Sequence, residues 1–455
     1  MNQESEVVEN DVSTKKMGRR ALVGSTVGTI IEWYDFFLYA TASALIFPKL
    51  FFSDSDPYVA TLLSFATFAV GFLARPVGAI IFGHFGDRVG RKNALVITLW
   101  IMGLSSFLMG VLPTYATIGF LAPLMLVILR LLQGIGVGGE WAGSVLLAME
   151  WGNKKKQGFT ASVPNAGVGA GMLLSSAVVG LCIAFTGDNF YVWGWRIPFI
   201  ASLLLLLVGM VIRLRILETP SFRKVEEGNQ VSKMPVLEVL RFYPKQVIYS
   251  AMAKMSEHAP FAIFTTFMIN YSINNFKVES EYMVNANTFA SILMCINIPL
   301  FGYLSDKIGI KKMYMIGVIV TILWAFPYIG LMSTGVPVVI LLATILSMFP
   351  HNIQAGAQPA LISQAFPARL RYSGASLGTQ IPAVFAGGIA PLVCTYLIQT
   401  TGTLYSIGFY IVFVGLISLI GTILLKNISQ VSEEVSITTN YDGHLSLTNT
   451  EDVKA

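Results

Sequence analysis

Residues 26–47 read TVGTIIEWYDFFLYATASALIF, apolar enough to cross a bilayer, yet Glu32 and Asp35 sit near the middle. A carboxylate at that depth costs at least ~2.5–3.5 kcal/mol on insertion scales, so an acid kept there points to a proton, ion or substrate path. At 100° per residue, Gly24, Gly28, Glu32, Asp35 and Tyr39 fall within about 80° of one another, which puts both acids on one stripe with small residues and a tyrosine. That stripe is expected to face a bundle interior. RLLQGIGVGGEWAGSVLLAMEW (130–151) supplies a counter-charge, with Arg130, Gln133, Val137, Glu140 and Ser144 along one helical face and a neighbouring stripe of glycines for close packing. YSAMAKMSEHAPFAIFTTF (249–267) aligns Ser250, Lys254, Glu257, His258, Phe261 and Thr265 in the same way. Such groups suit proton carriage and the binding of a small charged solute; at each place a static ion pair that ties helices together is the competing reading. Other chemistries lack their motifs. There is no HExxH, no GxSxG and no metal-spaced Cys/His cluster, and GIGVGG (134–139) has neither the preceding strand nor the following Lys of a nucleotide loop. No enzyme activity and no cofactor are expected, only a proton as coupling ion.

The elements that must position these residues are membrane helices. The 455-residue chain is 54% hydrophobic and only 12% charged, against roughly a quarter charged in soluble domains. Apolar blocks at 21–47, 58–83, 93–112, 117–148, 158–186, 195–217, 246–272, 284–304, 313–332, 336–366, 373–399 and 404–425 each provide the ~20 residues a spanning helix needs. This predicts an all-α membrane protein of twelve transmembrane helices in two pseudo-symmetric six-helix bundles: a tail over 1–20, bundles over 21–217 and 246–427, a linker over 218–245 and a second tail over 428–455. Most of the 30 Lys and Arg residues flank helix ends on one side, and the positive-inside bias then puts both termini in the cytoplasm. The net charge of +5 therefore implies no nucleic-acid partner. Cys182, Cys295 and Cys394 all lie in apolar segments and are expected to be packed thiols.

The halves repeat one plan. GHFGDRVGRK (83–92) follows the second block and GYLSDKIGIKK (302–312) the eighth, so that Gly83, Asp87, Arg88 and Gly90 match Gly302, Asp306, Lys307 and Gly309 at a constant spacing. Internal repeats of this kind belong to secondary transporters whose halves rock about a central site. Asp87 can cap free N–H groups of its own or a neighbouring helix, and the duplicated loops are expected to form a latch between the halves. Arg75, in ARPVG, is expected either to snorkel to the interface or to pair with an acid such as Glu140 and close the inner side.

GDRVGRK resembles the loop signature of the major facilitator superfamily. GTIIEWYDFFLYA (28–40), FLARPVGAIIFGHFGDRVGRK (72–92), RLLQGIGVGGEWAGSVLLAMEW (130–151), WGWRIPF (193–199) and ETPSF (218–222) together are similar to its metabolite:proton symporter family, bacterial carriers for compounds such as citrate, 2-oxoglutarate, shikimate, proline and betaine. The resemblance covers about residues 20–425. It implies a multi-pass protein of the bacterial inner membrane, monomeric by default for this fold, that imports a small carboxylate-bearing metabolite with protons. It assigns proton coupling to Arg130, and Glu32 and Asp35, from their place on the first helix, are expected to share that role. The expected substrate-binding set is Tyr39, Gln133, Lys254, Glu257, His258 and Gln358. The expected cytoplasmic gate is Arg75, Gly83, Asp87, Arg88, Gly90, Arg91, Glu140, Asp306 and Arg371. His258 stands where relatives often carry Asn and Ala262 where they often carry Tyr, so no single substrate transfers, and the proton carrier stays open among Glu32, Asp35, Glu257 and His258. His351, beside Pro350, is expected to be structural. An exporter or an uncoupled facilitator would share the fold; a transporter-like sensor would need a longer tail than NISQVSEEVSITTNYDGHLSLTNTEDVKA.

Overall fold

The computed structural model describes residues 3–228, 230–428, 437–439 and 445–447, with side chains over 16–428 except at 229, 280, 281 and 284. The first half contains α1 (Gln3–Leu45), α2 (Pro57–Arg88), α3 (Arg91–Val111), α4 (Leu121–Trp151), α5 (Gln157–Thr186) and α6 (Arg196–Leu214). Two short helices, Pro220–Glu227 and Pro235–Phe242, occupy the linker. In the second half α7 runs over Pro244–Ala262, a π-turn at Ile263–Phe267 and Met268–Asn275. There follow α8 (Ser280–Ile308), α9 (Ile310–Met332) and α10 (Pro337–Ser363). The chain ends its bundle with α11 (Arg371–Pro382, a π-turn at Ala383–Gly388, then Ala390–Thr401) and α12 (Tyr405–Leu424). Apart from Ile428 and an antiparallel pairing of Ile437–Thr439 with Leu445–Leu447, the predicted tail over 428–455 lies outside the described residues.

Among the described residues ten helices are long and apolar enough to cross a membrane. The other two of the twelve, α1 and α7, are the ones that carry Glu32 with Asp35 and Lys254 with Glu257 and His258. α1 starts well before the expected position 21, because the Glu, Lys and Arg of the tail are good helix formers. The π-turns of α7 and α11 arise next to Pro260 and Pro382, where a missing N–H disturbs the hydrogen-bond ladder.

The two halves pack alike. In the first, α1 lies on α5, α2 on α4, and α3 on α4 and α6; in the second, α7 lies on α11, α8 on α10, and α9 on α10 and α12. Across the interface α5 packs on α8 and α2 on α11. The repeat reaches the backbone: Gly90 (φ 111°) and Gly309 (φ 106°) both precede a helix in a conformation that side chains resist. Close helix approach is strictest between α2 and α4, where a Cβ on Gly78 would stand 2.0 Å from the Ile135 carbonyl oxygen. The same pair of helices brings Arg75 and Arg130 to the wall of one hollow.

One residue departs from its expected place. Arg213 counts by position with the basic residues that flank the membrane, but it is buried in the first half. It forms a forked ion pair with Glu140, and its Nη1 also donates to the Leu95 carbonyl at 2.6 Å. Ser144 Oγ (2.9 Å) and Thr98 Oγ1 (2.8 Å) donate to the same carboxylate. The pair ties α3, α4 and α6 together, and Gly28 of α1 leaves room for the guanidinium.

Candidate functional site

A cavity of about 560 Å³ lies between the halves. From the first half it is lined by Glu32, Trp33, Arg75, Trp141 and Asn165, and from the second by Lys254, Glu257, His258, Phe261, His351, Thr379 and Gln380, among others. The helical phase predicted for α7 is the one observed: Lys254, Glu257, His258 and Phe261 all reach the cavity, whereas Ser250 and Thr265 do not line it. Lys254 Nζ lies 3.1 Å and His258 Nδ1 3.2 Å from Glu257 Oε2. Lys254 also stands 4.8 Å above the Trp141 ring of the opposite half. Trp141 Nε1 donates to Asn165 Oδ1 (3.0 Å), and Asn165 Nδ2 donates to the Ala355 carbonyl (3.0 Å), a second thread between the halves. His351, expected to be structural, lines this cavity and stacks on Phe261 with ring centroids 4.7 Å apart.

A second hollow of about 270 Å³ lies within the first half, bounded by Glu32, Asp35, Phe36, Arg75, Arg130, Gln133 and neighbouring apolar residues. Here Arg130 Nη1 donates to Gln133 Oε1 at 2.5 Å, and Gln133 Nε2 donates to Ser106 Oγ at 2.7 Å. Ser202 Oγ donates to Asp35 Oδ1 at 2.6 Å. Tyr39 donates to Thr67 Oγ1 at 2.7 Å, and its ring carries the Arg130 guanidinium 4.0 Å above its centroid. Glu32 and Arg75 border both spaces. The two acids of α1 are thus divided: Asp35 belongs to the inner hollow alone, Glu32 to both.

At the basic end the duplicated loops cross between the halves. Asp87 accepts from the backbone N–H of Tyr372 (3.1 Å) and Ser373 (2.8 Å) at the start of α11. Asp306 accepts from Gly158 (2.7 Å) and Phe159 (2.9 Å) at the start of α5. Helix N-termini favour such carboxylates because their first N–H groups lack partners. Gly83 lets α2 approach Ser373, where a Cβ would come within 2.9 Å of its Cα. Glu150 joins Arg91 of the first half and Arg371 of the second in ion pairs, and Arg91 Nη2 donates to the Ala368 carbonyl at 2.9 Å.

Several expected placements need correction. Arg75 does not pair with Glu140; it borders the cavities, and Glu140 is held by Arg213 inside the first half, where its bonds join helices of one bundle and not the two bundles. Arg88 is exposed at the end of α2, because the helical turn that aims Asp87 at α11 points its neighbour to solvent. Gln358 is fully buried beside neither cavity, with no partner for its amide among the described residues. Tyr39 and Gln133 surround Arg130 and not the larger cavity. Glu150, Trp141, Asn165, Ser106, Ser202 and Arg213 were not singled out from sequence; for most of them no local signal exists, since they act through helices distant in sequence. Trp33, directly after Glu32, could have been read as the wall of the same cavity.

Twelve helices in two repeated halves around a cavity lined by charges from both define a membrane transporter, not an enzyme. Residues 26–391 match the Major Facilitator Superfamily, and the chain belongs to it. It is 38% identical to the shikimate transporter of Escherichia coli (strain K12) over 414 residues, 90% of this chain and 94% of that one. To the proline/betaine transporter of the same organism it is 32% identical over 426 residues, 90% and 83% of the two chains. Among solved structures, the proton:xylose symporter XylE bound to 6-bromo-6-deoxy-D-glucose has the same fold, with a TM-score of 0.67 at 16% identity over 91% of this chain and 97% of that one.

Proposed function

We propose that this transporter carries a small carboxylate-bearing metabolite inward together with a proton, by alternating access across the bacterial inner membrane. The observation that supports this best is the convergence of Glu32 and Arg75 from one half with Lys254, Glu257 and His258 from the other on one cavity. Solute bound there touches both halves and can favour one arrangement over another. By the positive-inside bias the basic end faces the cytoplasm, so the Asp87 and Asp306 contacts close the inner side. Asp35 beside Arg130 and Glu32 beside Arg75 are the proton-exchanging acids, each facing a cation that competes with the proton. The other charged groups around Glu32 are Glu140 of α4, Arg213 of α6 and Lys254 of α7. The shikimate and proline/betaine carriers named above supply the first substrates to try.

The test is uptake into proteoliposomes with an imposed, inside-alkaline pH gradient. Accumulation above the external concentration, abolished by a protonophore, is the expected result. A ratio that settles at one whatever the gradient identifies a facilitator, and proton-driven depletion of the lumen an exporter.

The latch has its own test. Asp87→Asn keeps the shape but replaces charged hydrogen bonds worth about 1.5–3 kcal/mol each. The basic end is then expected to open ~10–100-fold more often. Spin labels at the exposed positions of Arg88 and Lys307 should report a longer population; an unchanged distance distribution would remove Asp87 from the gate.

A further inference from the structure

Among the described residues, one cation lining the cavity has no hydrogen-bonding partner. Lys254 is paired with Glu257 at 3.1 Å, and Arg130, which borders only the inner hollow, is bonded to Gln133. Arg75 is 6% exposed, yet among the described residues no hydrogen bond reaches it and no acid lies within 4 Å. Its guanidinium carbon lies 4.4 Å from the Phe72 centroid and 5.2 Å from that of Phe36, two rings that pack edge to face 5.6 Å apart. Aromatic rings attract the charge of the guanidinium but accept none of its N–H groups in a normal hydrogen bond. A buried donor set with no acceptor calls for one, and the guanidinium fork matches a carboxylate with two parallel bonds.

We infer that Arg75, backed on one side by Phe36 and Phe72 and lining the cavity, receives the substrate's carboxylate on its free N–H groups. One free fork takes one carboxylate, and Glu32 and Glu257 disfavour a second anion nearby, so the substrate class is a compact monocarboxylate and not a dicarboxylate. Trp33, Trp141 and Phe261 provide apolar walls for its body, and Asn165, Thr379 and Gln380 provide hydrogen-bonding groups for substituents. This placement gives a substrate-binding role to Arg75, expected from sequence at the cytoplasmic gate, and it rests on the transport reading above.

The experiment uses full-length protein and a panel: shikimate, benzoate, proline and glycine betaine as monocarboxylates, succinate and 2-oxoglutarate as dicarboxylates, and shikimate methyl ester and xylose as uncharged controls. Binding is followed by calorimetry in detergent and uptake in proteoliposomes. Wild-type protein is expected to bind a monocarboxylate at least about 10-fold tighter than the uncharged compounds and the dicarboxylates. Arg75→Gln should weaken that binding about 100-fold and Arg75→Lys, which keeps charge but loses the fork, about 10-fold. Binding within twofold of wild type in Arg75→Gln, with wild-type uptake intact, overturns the inference and leaves the transport reading standing. Preference for a dicarboxylate or for the uncharged compounds does the same, and needs no variant to fold. Wild-type uptake of none of the panel overturns both.

Discussion

Replacing Asp35 by Asn is expected to bring proton-driven accumulation down to equilibration, while exchange of internal for external substrate continues. One proton moving with one monocarboxylate transfers no net charge, so a gradient of one pH unit supports about tenfold accumulation, or about 1.4 kcal/mol. The Asn side chain fits the hollow formed by Arg130, Gln133, Ser106 and Ser202 and keeps an oxygen for the Ser202 hydroxyl, which donates to Asp35 at 2.6 Å. What it loses is the proton site. Arg130 remains bonded to Gln133 and stacked over Tyr39, so the local structure has other supports. Accumulation and counterflow measured on the same vesicles separate the two effects. Glu32→Gln serves as the companion, since Glu32 alone of the two acids also borders the larger cavity. Full uphill uptake by both single variants would remove them from the coupling mechanism.

Arg213→Ala is expected to cost about 3–5 kcal/mol of stability, because it strands a buried carboxylate without its counter-charge. Glu140 is fully buried, and after the change only the Ser144 and Thr98 hydroxyls face it. Arg213 also donates to the Leu95 carbonyl, alongside Thr98 Oγ1 of α3. The double replacement Glu140→Gln with Arg213→Leu removes both charges and should recover much of the loss, as buried pairs exchanged together often do. Thermal unfolding in detergent across the four-member cycle gives the coupling directly. A single Arg213→Ala variant as stable as the parent would show that Glu140 finds another partner or a proton. In both cases transport is read separately, since the pair belongs to one half but neighbours the Tyr372 contact from the other.

The sequence by itself determined the class of molecule and much of its plan. Twelve apolar blocks need only a lipid solvent to become helices, and a three-to-four residue period told which face of α7 would be wet. The repeated Gly and Asp loops announced two similar halves, and Asp87 was read as a cap for a neighbouring helix. Partners between helices were another matter. Arg75 and Glu140 are opposite in charge and both lie toward the inner ends of their helices, so position along the chain suggested them as a pair. Only the packing of α3 against both α4 and α6 brings Arg213 to Glu140, and only the contact of α2 with α1 places Phe36 beside Phe72 and Arg75. Helical phase is a local property of the chain; which faces meet depends on how six helices wedge together and how the two halves then close, and that is set by contacts between residues far apart in sequence.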